Sequence, residues 1–213
     1  MSHVETSTPF DRIPPYRIID GFLGEELIER LLEFAQSREA DFVPTTVGKH
    51  EGRPNPEVRV SRVLRDFGAL LPEIEARFKE PMQQAVKDLR ISPFDLAKCE
   101  IELVAHNDGA FYKRHIDTQT GIPDAKSQRT LTGVLYFHLL QKKFSGGEFR
   151  LFSLNYQNFI DIEPEMDRLV LFPSWAPHEV MPVSCPSGKF EHSRFAINCW
   201  YRRPNPHLHS PDE

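Results

Sequence analysis

Residues 99–106 read CEIELVAH, residues 110–117 AFYKRHID and residues 129–139 RTLTGVLYFHL, and with them the chain turns to β-structure. Each run mixes β-branched and aromatic residues with polar ones at a period near two, which suits a strand with one buried face. Five more runs follow: GGEFRLF (146–152), QNFIDIE (157–163), DRLVLFP (167–173), HEVMPV (178–183) and SRFAINCWY (193–201). Turn signals separate them, among them Asn107-Asp-Gly, Ser145-Gly-Gly, Pro164 and Pro186-Ser-Gly. Upstream the character differs. PPYRIID (14–20) reads as a short strand, and Gly24-Glu-Glu opens a helix whose Leu27, Ile28, Leu31, Leu32 and Ala35 share one face. Residues 43–56 read as a surface loop and EVRVSRVL (57–64) as a single strand. Leu71, Ile74, Phe78, Met82, Val86 and Leu89 then step by three or four, with a break expected just before Pro81.

Helices first and about eight strands afterwards predict a mainly β fold with flanking helices. This order describes a β-sandwich or a rolled barrel buttressed by the N-terminal helices, and a jelly-roll closure, the double-stranded β-helix, would bring strands distant in sequence side by side. The whole chain, 1–213, is expected to be one domain: support in 1–97, a catalytic core in 98–203 and a flexible tail in 204–213. A length of 213 residues, 39% hydrophobic and with 16 Phe, is enough for a sizeable core. The net charge of −5 argues against a nucleic-acid partner. No apolar run approaches the roughly 18 residues of a membrane span. The first 17 residues have neither a basic nor an apolar signal region, so a cytoplasmic location is expected. Cys99, Cys185 and Cys199 are odd in number and lack CxxC spacing, which fits reduced thiols, with Cys199 in core packing.

The chemistry centres on FYKRHIDT (111–118). If this stretch is a strand, His115 and Asp117 leave it on the same face. They would make two-thirds of a 2-His-1-carboxylate triad, which leaves positions open on Fe(II). Alone the pair is a weak signal in a chain of 9 His and 31 acidic residues. His178, at the start of HEVMPV and 61 residues beyond Asp117, is the candidate third ligand. A zinc site is the other metal reading of the same donors. Along SRFAINCWY, alternation puts Arg194, Ala196, Asn198 and Trp200 on one face. If that face lines the barrel, a buried guanidinium needs an anionic partner, and a dicarboxylic ligand that chelates the metal at its other end would provide one. Tyr136 shares parity with Val134 and Thr132, so its hydroxyl could join Arg194. Lys189 is a rival anchor by spacing but sits in a turn, and His138 reads as structural.

GVLYFH, GGEFRLF, FIDIEPEMDRLVLFPSWAPHEVMPV and RFAINCWY together resemble the Fe(II)/2-oxoglutarate dioxygenases of the prolyl-4-hydroxylase type. The branch that hydroxylates hypoxia-inducible factor, with its bacterial relatives, is the nearest likeness, and it covers roughly residues 98 to 203. The resemblance implies that His115, Asp117 and His178 hold Fe(II), and that Arg194 binds the C5 carboxylate of 2-oxoglutarate with Tyr136 beside it. It implies Val180 against the cosubstrate and Tyr112, Arg129 and Trp200 at the substrate mouth. O2 would be the oxidant, with ascorbate as an auxiliary reductant and succinate and CO2 as coproducts. The expected substrate is a small molecule or a peptide or protein, most of all a prolyl residue or a proline-like amino acid. The alternatives are an unrelated small metabolite or a jelly-roll binding module without turnover. Two features depart from the family pattern. His106 stands where relatives often carry a Tyr that touches the cosubstrate, and the 16-residue gap from His178 to Arg194 is long, with SCPSGKFEHS as the added turn. Arg53, Arg59 and Arg62 mark the 43–62 region as a candidate substrate lid. The oligomeric state is not legible in these residues.

Overall fold

The computed structural model describes residues 8–46, 54–119 and 126–205. Arg53, most of the proposed lid loop and the tail histidines His207 and His209 lie outside them. The N-terminal part holds β1 (Arg17–Asp20), α1 (Glu25–Ser37), β2 (Val43–Pro44), β3 (Arg59–Val60), β4 (Arg62–Leu64), α2 (Leu71–Lys79) and α3 (Met82–Asp88). Next come β5 (Lys98–His106), β6 (Phe111–His115), β7 (Ser127–Phe137), β8 (Ser145–Gly146) and β9 (Phe149–Phe152). The chain closes with β10 (Phe159–Ile162), β11 (Arg168–Pro173), β12 (His178–Val180), β13 (Val183–Ser184) and β14 (Arg194–Pro204). None of the described helices is long and apolar enough to cross a membrane.

Seven strands form a major sheet in the order β1-β11-β7-β14-β5-β4-β2, and five form a minor sheet in the order β10-β9-β12-β6-β3. β13 and β8 make a separate ribbon, and every pairing is antiparallel. This is the jelly-roll core of the sequence reading. Period-two alternation divides the major sheet into an apolar outer face and an inner face that looks into the roll. Leu131, Leu135, Phe137, Ile197, Cys199 and Tyr201 join one core with Leu31 of α1, Ile74 and Phe78 of α2 and Ala85 of α3. Val134, Tyr136, Val170, Phe172 and Ala196 face the other way, toward Phe149 and Leu151 of the minor sheet. The helical break falls where Pro81 demands it, between α2 and α3.

Two expectations about strands change. EVRVSRVL is not one strand, because the chain passes from one sheet to the other at Ser61. β3 pairs with β6, Arg59 opposite Tyr112, whereas β4 pairs with β5, Arg62 opposite Ala105. Buried Thr45 secures the crossing, its backbone N–H donating to the Ser61 carbonyl at 3.0 Å. The second change concerns FYKRHIDT: β6 ends at His115, so Asp117 is held in a turn and not by the strand. The region read as pure loop also contains β2, and β14 runs on to Pro204 with Asn205 buried.

Candidate active site

β6 and β12 lie side by side with His115 and His178 as direct partners, their ring centroids 4.2 Å apart. Asp117 joins them from the turn after β6. Its backbone N–H and that of Thr118 donate to the Ser174 carbonyl at 2.8 and 2.9 Å, which swings the carboxylate back between the imidazoles. Asp117 Oδ1 is 3.7 Å from His115 Nε2, and Oδ2 is 3.7 Å from His178 Nε2. One donor atom from each of the three lies within 4.8 Å of the others. Thr132 Oγ1 donates to Asp117 Oδ2 at 2.9 Å and meets Ser174 Oγ at 2.9 Å, so the carboxylate is oriented from behind.

The imidazoles are oriented too. His115 Nδ1 contacts the Lys113 carbonyl and His178 Nδ1 the Ala176 carbonyl, each at 2.9 Å. A carbonyl only accepts, so both Nδ1 atoms carry the proton and both Nε2 lone pairs turn toward Asp117, as metal-ligating histidines require. Burial, with His178 next to it, pushes His115 down to about 3. Burial alone would raise Asp117, but His178 and His115 hold it below the usual carboxylate range. A neutral His115 beside an ionised Asp117 is the pairing of protonation states a divalent cation needs. Phe149 and Phe172 wall His178, and Tyr112 stacks on His115 with centroids 3.5 Å apart.

Arg194 is 1% exposed and forms the inner end of the same chamber. Its Nη1 meets His106 Nδ1 at 3.2 Å, its guanidinium lies over the Tyr136 ring at 4.7 Å, and its Nε has no partner among the described residues. Among the described residues no carboxylate forms an ion pair with it. His106 is buried, and burial, then Arg194, then Arg59 hold it well below its ordinary value, so it is neutral and accepts at Nδ1. The Tyr136 hydroxyl is fully buried and has no hydrogen-bond partner among the described residues, and burial pushes it up to about 12. A buried guanidinium, a phenol and the His106 Nε2, all with unmet donors in one chamber, fit an anionic ligand that those groups would share. Gly147 makes the space: at φ +74° it passes so close that a Cβ would sit 2.7 Å from Arg194 Cδ.

The chamber, about 40 Å³, is also lined by Val180, Asn198 and Trp200. It opens into a basin of about 500 Å³ that shares Arg59, Tyr112, His115, Asp117 and Trp200 and adds Arg129. Arg129 is bound to Glu100 and stacks on Trp200 with 3.6 Å to the ring. Of the lid candidates, Arg59 lies over Tyr112 at 4.6 Å at the mouth, whereas Arg62 turns away onto Phe190 and the Phe42 carbonyl. Lys189 is 65% exposed beside Glu191, far from an anchoring role. His138 is bonded through Nδ1 to Leu139 and packs on Phe144, outside the chamber. The added turn folds Phe190 into the core against Phe42 and Phe195. The sequence alone does not mark Thr132, Ser174, Asn198 or Glu102 as site residues. Strand parity alone put Thr132 and Asn198 on the inner face; nothing local marked Ser174.

Comparison with known proteins follows the same outline. Residues 101–202 match the family model of the 2OG-Fe(II) oxygenase superfamily. An uncharacterized PKHD-type hydroxylase of Synechocystis is 33% identical over 197 residues, covering 88% of this chain and 63% of that protein. A hypoxia-inducible factor prolyl hydroxylase of Caenorhabditis elegans is 36% identical over 99 residues, 44% of this chain and 12% of that protein. This chain therefore spans less than two thirds of the length of either relative. A prolyl hydroxylase from Trichoplax adhaerens, solved with a peptide fragment of the hypoxia inducible factor oxygen degradation domain, superimposes with a TM-score of 0.67 at 21% identity. The superposition covers 88% of this chain and 83% of that one, and at that identity the likeness is one of fold. The matched span runs from within β5 almost to the end of β14 and contains every side chain of the inner chamber except Arg59, and over that span this chain is similar to the 2OG-Fe(II) oxygenase superfamily.

Proposed function

We propose that this chain is an Fe(II)- and 2-oxoglutarate-dependent dioxygenase that hydroxylates an unactivated C–H bond of a prolyl residue or a proline-like amino acid, releasing succinate and CO2. One observation carries the reading: a buried guanidinium that has no carboxylate partner among the described residues stands in the same chamber as a His115–Asp117–His178 cluster. A zinc hydrolase would use the cluster and leave Arg194 and the Tyr136 hydroxyl unexplained. In the proposed enzyme the two Nε2 atoms and one Asp117 oxygen hold the iron, and Thr132 keeps the carboxylate aimed. Arg194 and Tyr136 take the far carboxylate of 2-oxoglutarate, with His106 Nδ1 steadying the guanidinium. Val180 packs against the cosubstrate, and Phe149 and Phe172 help keep the chamber dry. Tyr112, Arg129 and Trp200 border the side from which substrate approaches. Bound iron, 2-oxoglutarate and O2 supply the oxidising chemistry; the protein positions them.

Anaerobic titration of the protein with Fe(II) and 2-oxoglutarate should develop the weak visible absorption of a metal–2-oxo-acid chelate. Aerobically, substrate-dependent succinate formation should vanish in Asp117→Ala. A wild-type protein that never develops the band, or undiminished succinate from the variant, would overturn the assignment.

A further inference from the structure

The outer basin holds a charged group that the hydroxylase reading leaves without a task. Glu102, in β5, is 6% exposed, yet among the described residues its carboxylate accepts no hydrogen bond. Arg65 Nη2 at 3.2 Å and Arg59 Nη2 at 3.8 Å are ion-pair contacts outside hydrogen-bonding geometry, and the Arg65 side chain is itself 62% exposed. Glu100, two residues away on the same face, is different: Arg129 and Arg202 saturate it as a structural ion pair. Directly across from Glu102 in the register is Asn198, whose amide lines the chamber and makes no hydrogen bond among the described residues. Arg59 completes the group. Its Nε donates to Ser61 Oγ, but among the described residues its terminal nitrogens make no hydrogen bond.

The pairing of β14 with β5 orders these groups along the pocket. Arg194 faces His106, Ala196 faces Val104, Asn198 faces Glu102 and Trp200 faces Glu100. Four residues of strand put Asn198 roughly 13 Å beyond Arg194, farther than an extended five-carbon diacid reaches. His115 and Asp117 line both the chamber and the basin. Glu102 therefore lies on the substrate side of the proposed iron, in a space that 2-oxoglutarate leaves free. A buried carboxylate with unfilled acceptor sites calls for an N–H donor, preferably a cationic one. A prolyl residue inside a peptide has no N–H and no charge at its nitrogen. A free amino or imino acid carries a cationic N–H group and, one carbon away, a carboxylate for a guanidinium.

We infer that the substrate is a free α-amino or α-imino acid, its ammonium held by Glu102 and the Asn198 amide and its carboxylate by Arg59. The inference rests on the hydroxylase reading and narrows it to a small zwitterion. The test is anaerobic calorimetry on the protein loaded with Fe(II) and 2-oxoglutarate, using the twenty free amino acids, their N-acetyl forms and a doubly blocked tripeptide with central proline. Products of +16 Da are then sought aerobically. At least one free amino acid should bind, its N-acetyl form about tenfold or more weaker, and Glu102→Gln should erase that preference while the chelate band forms as in wild type. The inference falls if no free amino acid binds, if N-acetylation or Glu102→Gln makes no difference, or if the blocked tripeptide is preferred. If the chelate band itself fails to form, the hydroxylase reading has failed and this one with it.

Discussion

Arg194 is the residue on which the proposed chemistry turns. A cation taken out of water and left without a counter-charge costs several kcal/mol, and burial accordingly pulls its pKa below the ordinary guanidinium value. The arrangement is stable enough to persist because His106 accepts from it and the Tyr136 ring lies beneath it. Lysine would keep the charge and lose the planar fork that grips a carboxylate at two points. Arg194→Lys should therefore raise the 2-oxoglutarate concentration needed for half-formation of the chelate by about tenfold or more. Tyr136→Phe, which removes a single neutral donor, should shift it less. The anaerobic titration reads both, and an unchanged Arg194→Lys curve would deny the guanidinium its anchoring role.

At the scale of elements, β14 does two jobs with one alternation. Arg194, Ala196, Asn198 and Trp200 line the chamber, while Phe195, Ile197, Cys199 and Tyr201 meet the helices. The buried Tyr201 hydroxyl donates to the Phe78 carbonyl at 2.6 Å and so ties α2 to the outer face of the sheet. Tyr201→Phe should cost about 1–2 kcal/mol by leaving that carbonyl unpaired, and Phe78→Ala about 3–5 kcal/mol through the cavity. Urea denaturation measures both, and Tyr201→Phe should leave the chelate titration as it is because the two faces are separate. This parity was legible in RFAINCWY, since period two is a property of any strand. The split of EVRVSRVL was not. Nothing local in Ser61 marks a sheet change, which depends on what β3 and β4 each find to pair with.

Across the whole molecule, the site makes folding sensitive to acid. His115 sits at about 3 in the folded chain against an ordinary 6.5, and His106 is also held well below that value. Between those values the unfolded chain binds more protons than the folded one, so stability rises with pH. The contribution of these imidazoles is complete above about pH 6.5 and is lost as the pH falls from there toward the folded value. For metal-free protein, the unfolding free energy should drop from pH 7 to pH 5 by up to about 1.4 kcal/mol per pH unit for each imidazole. His115→Gln should remove one such share of the slope. Denaturant titrations at several pH values check this, and a slope unaltered in the variant would count against a buried neutral His115.

By itself the sequence determined the order of elements, the face each strand residue takes and the donor types available, because periodicity, turn residues and side-chain chemistry are local. From these came the jelly roll, the Pro81 break, and His115, Asp117, His178 and Arg194 as candidates. Only the tertiary structure decided which faces meet. It set His178 against His115 across β6 and β12, aimed Asp117 from a turn through Ser174 and Thr132, brought Arg59 to the mouth and turned Arg62 away, and set Glu102 opposite Asn198. Those juxtapositions follow from pairing between strands far apart in the chain. Their register is set by the burial of whole faces, which no single stretch of sequence contains.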